Sequence, residues 1–166
     1  MSPHPAATLR TGTWTVLSGR TTAAFEVRNF GFNRVRGTIP VRTGVVEVTD
    51  GEVTAVRAEL DLGTLDTRNE RRDADLRKPN LLDSGARPEM TFVAADVQRR
   101  GDGWEVTGEL WLRGTSCPLT LTVVPDGTRV RATGTLDRAP LGMRVPRAVI
   151  GRYVRIDVEA ELEPPS

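Results

Sequence analysis

Alternation of apolar and polar residues is the feature that most constrains this chain. It indicates β-strands, in which successive side chains point to opposite faces. Between Trp104 and Leu112 every second residue is apolar or glycine, whereas Glu105 and Glu109 belong to the opposite face. The same alternation recurs in four further segments, at residues 56–62, 119–123, 130–136 and 154–162. With turn signals such as Asp126–Gly127 between them, roughly eight strands are predicted, which favours an all-β antiparallel barrel or sandwich.

One segment departs from this pattern and predicts a short helix over about residues 68–77. Thr67 and Glu70 have the spacing of a capping box, in which each side chain satisfies a backbone N–H of the first turn. The helix is expected to end before Pro79, because proline cannot continue it. Its Leu76, with Leu81 and Leu82 just beyond, is expected to cover one end of a barrel.

The remaining organisation is that of one folded unit. Residues 1–12 and 163–166 lack periodicity and are expected to be tails around a single domain at 13–162. The formal net charge is +1, from 23 basic and 22 acidic residues, so nucleic acid is not an expected partner. No apolar run approaches the ~20 residues of a membrane-spanning helix. The start has no signal-peptide pattern, which favours a cytoplasmic location. The sequence leaves the oligomeric state open, and a homodimer is one alternative.

Side chains for the common catalytic and metal chemistries are scarce. His4, in the predicted tail, is the only histidine, and Cys117 is the only cysteine. Cys–His catalysis and histidine-based metal or haem sites are therefore not expected. No Gly-rich phosphate loop or nucleophile elbow occurs. The sequence thus predicts no catalytic residue, no metal and no cofactor.

The predicted inward faces are rich in small apolar residues, and aromatic residues make up only 5% of the chain. A barrel of eight strands has an interior that side chains just fill or that holds one small ligand. Small linings leave volume for a guest. Valine-rich strands also occur in solid cores, so a filled interior remains an alternative at this point.

The order of several motifs resembles the YceI-like family of lipocalin-like barrels, several members of which bind polyisoprenoids. The resemblance covers about residues 12–162. It rests on the following segments: Trp14-Thr-Val, Phe25-Glu-Val-Arg-Asn-Phe-Gly-Phe-Asn-Arg-Val-Arg-Gly37, Leu65-Asp-Thr-Arg-Asn-Glu-Arg-Arg-Asp-Ala-Asp-Leu76, Leu81-Leu-Asp, Pro88-Glu-Met-Thr-Phe92, Val106-Thr-Gly-Glu-Leu-Trp-Leu-Arg-Gly114, Pro118-Leu-Thr-Leu121 and Leu141-Gly-Met143. Two positions depart from the family pattern, because Asn29 and Asp75 stand where the family often has histidine.

The resemblance implies an eight-stranded lipocalin-like barrel and two groups of ligand-binding residues. The implied cavity lining consists of Phe25, Val27, Phe30, Phe32, Ile39, Phe92, Leu110 and Leu112. The implied mouth group, on and near the helix, consists of Asn69, Arg72, Asp73, Asp75, Leu76 and Leu81. Arg72 suits a phosphate head group, since guanidinium binds phosphate oxygens bidentately. The alternative, which the sequence favours, is that Arg72 and Asp73 hold the helix against the barrel rim.

Three functions follow as hypotheses. The first is non-enzymatic carriage or sequestration of an isoprenoid, quinone-like or other amphiphilic lipid inside the barrel. The second is a cyclase or isomerase that uses a carboxylate such as Asp73 or Asp75 with a raised pKa in a dry pocket. The third is a structural or stress-response barrel with a filled interior.

Overall fold

A computed structural model describes residues 9–29, 33–79, 81–143 and 150–166. Within these ranges it contains ten antiparallel strands and one α-helix. Their bounds are β1 (Gly12–Val16), β2 (Thr22–Asn29), β3 (Asn33–Ile39), β4 (Val41–Thr49), β5 (Glu52–Asp61), α1 (Glu70–Leu76), β6 (Glu89–Arg100), β7 (Gly103–Leu112), β8 (Thr115–Asp126), β9 (Arg129–Asp137) and β10 (Tyr153–Glu163). The all-β prediction with one short helix is confirmed.

The sheet closes on itself as a barrel. β1, β4, β5, β6, β7, β8, β9 and β10 are hydrogen-bonded neighbours in that order. β10 then returns to β1 through the pairs Thr15–Glu163 and Val16–Leu162. This ring is the closed eight-stranded barrel that the sequence predicted, and the sandwich alternative is wrong.

The two strands beyond the ring of eight arise from interruptions in the first hairpin. A 3-10 turn at Ser18–Arg20 separates β1 from β2, and Pro40 separates β3 from β4. β1 pairs with β4 while β2 pairs with β3, so the two halves continue the same antiparallel pair along the barrel. Pro40 interrupts the second strand because proline has no N–H to donate to the ladder.

Helix α1 is shorter than predicted and is capped differently. Its N-cap is Asn69, whose side-chain oxygen accepts the N–H of Arg72 at 3.0 Å. The capping box at Thr67 is wrong because Arg68 has a φ of 62°, a left-handed conformation that keeps Thr67 outside the helix. Thr67 instead bonds to Asp73, one turn into α1.

The connection from β5 to β6, which contains α1, packs against one end of the barrel. Leu62 and Leu65 are almost fully buried at its start. Asp66 forms a bridge with Thr38 of β3, and Arg77 donates its Nε–H to the carbonyl of Gly63. These bonds hold the connection in place, so α1 covers this end as expected.

The folded part begins before the boundary at residue 13 that the sequence suggested. Gly12 already belongs to β1, and Leu9 packs against the core. The carbonyl of Arg10 accepts the indole N–H of the buried Trp14. At the other end β10 extends to Glu163, one residue past the predicted boundary. Residues 1–8 of the predicted tail lie outside the described residues.

Candidate functional site

The barrel encloses a cavity of about 300 Å³. Because one face of every strand points inward, the alternating apolar residues of the sequence form its wall. β10 illustrates this, since Val154, Ile156, Val158, Ala160 and Leu162 all line the cavity. The volume lies at the lower end of the roughly 300–1,000 Å³ typical of ligand pockets. The described side chains therefore leave the interior hollow, and a completely filled barrel does not fit.

Most of the lining residues implied by the family resemblance reach the wall. Phe25 and Val27 of β2 and Ile39 of β3 lie on it, as do Phe92, Leu110 and Leu112 on the far side of the barrel. Phe92 and Leu110 face each other directly across β6 and β7. Phe30 and Phe32 lie outside the described residues. Contact of any of these side chains with a ligand remains a prediction.

Polar side chains are scarce on the wall. Among the described lining residues only Thr21 and Arg138 carry a hydroxyl or a charge. The Arg138 side chain is buried and donates from Nε to the carbonyl of Gly151 at 2.8 Å and from Nη2 to that of Ile150 at 2.5 Å. Arg138 thereby joins the end of β9 to the segment before β10. The described part of the wall therefore offers a ligand little hydrogen bonding.

At the end of the barrel opposite α1, two tryptophans also have their indole N–H groups bonded away from the cavity. The indole N–H of Trp104 donates to a carboxylate oxygen of Glu52 at 3.0 Å, and that of Trp14 donates to the Arg10 carbonyl at 2.9 Å. Both rings line the cavity. They close this end with apolar surface while leaving no indole N–H unsatisfied.

The polar residues assigned to the mouth are engaged in holding α1. Both carboxylate oxygens of the buried Asp73 accept the Thr67 backbone N–H, at 3.0 and 3.3 Å, and one also accepts the Thr67 hydroxyl at 2.5 Å. Arg72 donates from Nε to the Thr67 hydroxyl oxygen and from Nη2 to the Thr67 carbonyl. These bonds match the alternative that Arg72 and Asp73 fasten the helix rather than receive a head group.

The other two polar residues of this group point away from the cavity. Asn69 is exposed and caps α1. Asp75 forms an exposed ion pair with Lys78 at 2.9 Å, and the hydrogen bond from Lys78 lowers the pKa of its carboxyl. A catalytic carboxylate in an apolar pocket requires the opposite shift. Asp75 therefore has no feature of a cavity acid.

The leucines of this region are distributed differently from the expectation. Leu76 lies on the cavity wall, whereas Leu81 is half-buried outside it and Leu82 lines the cavity instead. Leu82 is placed there by its N–H, which donates to the carbonyl of Leu76 at 2.9 Å. Sequence reasoning also missed Leu9, Arg138 and Leu141 on the wall. Leu9 and Arg138 carry no sequence signal, because tertiary packing fixes their directions.

The cyclase or isomerase alternative finds no acid at the cavity. None of the wall residues within the described ranges is an aspartate or a glutamate. Over the same ranges, no cluster of His, Cys, Asp and Glu could hold a metal ion. The helical part of the described structure includes nothing long and apolar enough to cross a membrane.

The fold and its hollow interior define a class, the small antiparallel β-barrels with an apolar cavity. Within that class, the family model of the YceI-like domain matches residues 14–162. The chain belongs to the YceI-like family, as its motifs predicted.

Curated relatives match over part of their length. Protein YceI of Escherichia coli O157:H7 is 28% identical over 99 residues, which is 58% of this chain and 52% of that protein. Protein YceI of Salmonella arizonae matches to the same extent, at 28% over 99 residues, with the same shares of 58% and 52%. The chain thus spans about half the length of the curated relatives it matches.

Solved structures confirm the fold. BcnA of Burkholderia cenocepacia superposes with a TM-score of 0.73 at 14% identity, over 89% of this chain and 99% of that protein. A polyisoprenoid binding domain from Saccharophagus degradans, implicated in plant cell wall breakdown, gives a TM-score of 0.68 at 14% identity, over 92% of this chain and 98% of that domain. At this identity the likeness is one of fold.

Proposed function

We propose that this protein binds one molecule with a long apolar part inside its barrel and carries or sequesters it. The observation that carries the proposal is the cavity of about 300 Å³, whose described wall is apolar apart from Thr21 and Arg138. An empty cavity of this kind costs stability, and an apolar guest offsets that cost. The name of the Saccharophagus degradans domain makes a polyisoprenoid the first ligand to test.

Burial alone supplies enough free energy for such binding. At about 0.8 kcal/mol per buried CH₂, a five-carbon isoprene unit contributes a few kcal/mol. The free energy gained by burying several units therefore exceeds the lower estimates of the cost of association, which is roughly 4–15 kcal/mol. No charged contact is needed, which fits a wall on which Arg138 already donates to two backbone carbonyls.

The test begins with the cargo. Purified protein is extracted with organic solvent, the extract is identified by mass spectrometry, and the emptied protein is titrated with N-phenyl-1-naphthylamine, a neutral fluorescent apolar probe. We expect either a stoichiometric lipid in the extract or saturable probe uptake that a polyprenyl alcohol reverses. Absence of both would overturn the proposal.

A pair of matched variants locates the binding. Ala132→Phe adds a ring inside the barrel, because Ala132 is buried on the wall. Val124→Phe adds the same ring on the outer surface, where Val124 is 50% exposed. We expect A132F to weaken probe binding at least about tenfold, equivalent to about 1.4 kcal/mol, and V124F to leave it unchanged. Equal losses in both variants would contradict binding inside the barrel.

Ala58→Met provides a second wall variant in case A132F does not fold. Ala58 lies on β5 and faces Phe92 across the strand pair. The added side chain is flexible and adapts to irregular space. The same loss of probe binding is expected, and full retention would count against the proposal.

A further inference from the structure

The outer surface of β2, β3 and the start of β10 forms a groove with an excess of positive charge. Four arginines and one glutamate line it, together with Val27, Gly151 and Tyr153: Arg28, Arg34, Arg152, Arg155 and Glu26. The whole chain, in contrast, carries 23 basic and 22 acidic residues. The positive charge is therefore concentrated locally, and this set of eight residues is called the arginine groove below.

Two of these arginines oppose each other without compensation. Arg28 of β2 and Arg34 of β3 are directly paired across the strands. Among the residues that the structure describes, neither forms a salt bridge. Like charges placed directly opposite in an antiparallel pair destabilise it. The pair therefore does not contribute favourable charge interactions to the pairing of β2 with β3.

Acidic neighbours offset only part of the remaining charge. Glu26 is engaged by Arg36 at 3.1 Å, and Arg152 pairs with Asp137 at 2.7 Å. Arg155 lies across from Glu26 and near Asp157, which is bound by Arg131. Outward-facing arginines on other strands have individual acids, as Arg57 has Glu59 and Arg100 has Glu105. The excess in the arginine groove is thus a local property.

The groove adjoins the cavity. Val27 lines both the cavity and the edge of the groove. Ile150 lines the cavity and the next residue, Gly151, lines the groove, where its N–H donates to the carbonyl of Arg28. A partner surface that binds the arginine groove would therefore lie against the outer side of this part of the cavity wall.

We propose that the arginine groove docks the barrel on an anionic lipid bilayer. Arginines near a membrane surface each gain about 1 kcal/mol from anionic lipids, equivalent to about fivefold in partitioning. Tyr153 is 57% exposed at the groove and is a residue type enriched at the membrane–water interface. The choice of a bilayer over another anionic partner rests on the proposed function, because a bilayer is the reservoir of a long apolar cargo.

The test measures sedimentation of the full chain with vesicles. Vesicles of phosphatidylcholine mixed with phosphatidylglycerol are compared with vesicles of phosphatidylcholine alone, at low salt and at about 0.5 M sodium chloride, where screening shortens electrostatic attraction to a few ångströms. We expect binding to the anionic vesicles at low salt and its loss at high salt. Equal binding to both vesicle types, or none to either, would overturn the proposal.

Matched double variants assign the surface. Arg28→Ser with Arg34→Ser removes two charges from the groove, and Arg57→Ser with Arg100→Ser removes two exposed charges from β5 and β6. We expect the first double variant to lose roughly 25-fold in partitioning to anionic vesicles, and the second to lose less than about threefold. Equal losses would reduce the effect to net charge and would overturn the assignment.

Two further measurements separate this inference from the proposed function. Uptake of N-phenyl-1-naphthylamine from water is expected to be the same in the groove variant and the wild type, which shows an intact barrel. If the wild type takes up no probe, the proposed function is overturned. The vesicle measurements then still decide whether the arginine groove binds an anionic bilayer. Binding to heparin without binding to anionic vesicles would replace the bilayer with a polyanion and refute the proposal.

Discussion

The ring of Phe25 lies directly over Gly37, its partner on the neighbouring strand. A β-carbon built on Gly37 would stand 2.5 Å from the Cζ atom of that ring and 2.9 Å from Cγ2 of Thr67. Gly37 therefore leaves room on β3 both for the ring of an aromatic wall residue and for the side chain of Thr67, in the segment before α1. The absence of a side chain at one position fixes both a part of the cavity wall and the attachment of the covering segment.

Gly37→Ala is expected to displace the Phe25 ring and destabilise the barrel by about 1–3 kcal/mol, the usual cost of overpacking. Chemical denaturation measures the change. Gly19→Ala is the matched control, because among the described residues no heavy atom beyond those of Gly19 and its two chain neighbours lies within 4 Å of a β-carbon built there. It is expected to be neutral or to stabilise the fold by up to about 1 kcal/mol. Similar losses in both variants would show that the contact with Phe25 is unimportant.

Asp73→Asn is expected to loosen α1. Asp73 Oδ1 accepts both the N–H and the hydroxyl of Thr67, and Oδ2 accepts the same N–H, so an amide replaces one acceptor of this buried N–H with an NH₂ group that cannot accept it. Leaving a buried group unsatisfied costs about 1–3 kcal/mol, so hydrogen exchange of the α1 amides is expected to accelerate by about fivefold to a hundredfold. Asp75→Asn, on the same helix but in a solvent-exposed pair with Lys78, is expected to leave the exchange of these amides nearly unchanged, because water screens such a pair. The prediction fails if the two variants exchange equally fast.

The Cys117 thiol is expected to be unreactive in the folded protein. It is completely buried in β8 opposite Leu110, and burial, with the nearby charges of Glu109 and Asp137, raises its pKa from 9.0 to about 11. Because the thiolate is the nucleophile, iodoacetamide at about pH 8 is expected to label the unfolded chain and spare the folded one. Rapid labelling under native conditions would contradict this.

The same thiol gives stability a dependence on alkaline pH. Its pKa is higher in the folded state, so the fold favours the neutral form. The contribution is fully present below the ordinary value of 9.0 and is lost as the pH rises towards about 11. Cys117→Ala is expected to remove this part of the decline, which denaturation curves at neutral and alkaline pH would reveal as a shrinking difference between variant and wild type.

Asp157 gives a small dependence at acidic pH. Hydrogen bonds from Arg131, at 2.6 and 3.2 Å, lower the pKa of its carboxyl, so its contribution exists above the ordinary value of 3.8 and disappears as the pH falls below it. Both side chains are substantially exposed, so Asp157→Asn is expected to cost less than about 1 kcal/mol at neutral pH. As the pH falls below 3.8 the difference in stability between the variant and the wild type is expected to shrink, and a difference that stays constant would point to another role.

The sequence was most informative where a residue's direction follows from strand geometry alone. Alternation placed Val106, Leu110 and Leu112 inside the barrel and left Trp111 outside, where it is 48% exposed. The family motifs predicted that the sheet closes into a barrel, whereas alternation alone fitted a barrel and a sandwich equally well. Both kinds of information are local or depend on order along the chain, so they did not require knowledge of tertiary packing.

The ends of the barrel were less predictable. Thr67 has the spacing of a helix cap, but the left-handed Arg68 removes it from the helix and Asp73 takes its hydroxyl instead. Leu81 and Leu82 are adjacent and chemically identical, and only the bond from Leu82 to Leu76 places the second one on the wall. Such choices depend on how the covering segment packs, which no periodicity encodes.

The pairing of β1 with β10 has a consequence for how the protein acquires its structure. These strands come from opposite ends of the described chain, and two residue pairs join them. Contacts between distant parts of a sequence form slowly, because a long loop must close first. Closure of the ring is therefore expected late in folding. Until the last strand is synthesised, the nascent chain exposes an open sheet with an apolar face, which a chaperone or a lipid can bind before the barrel is complete.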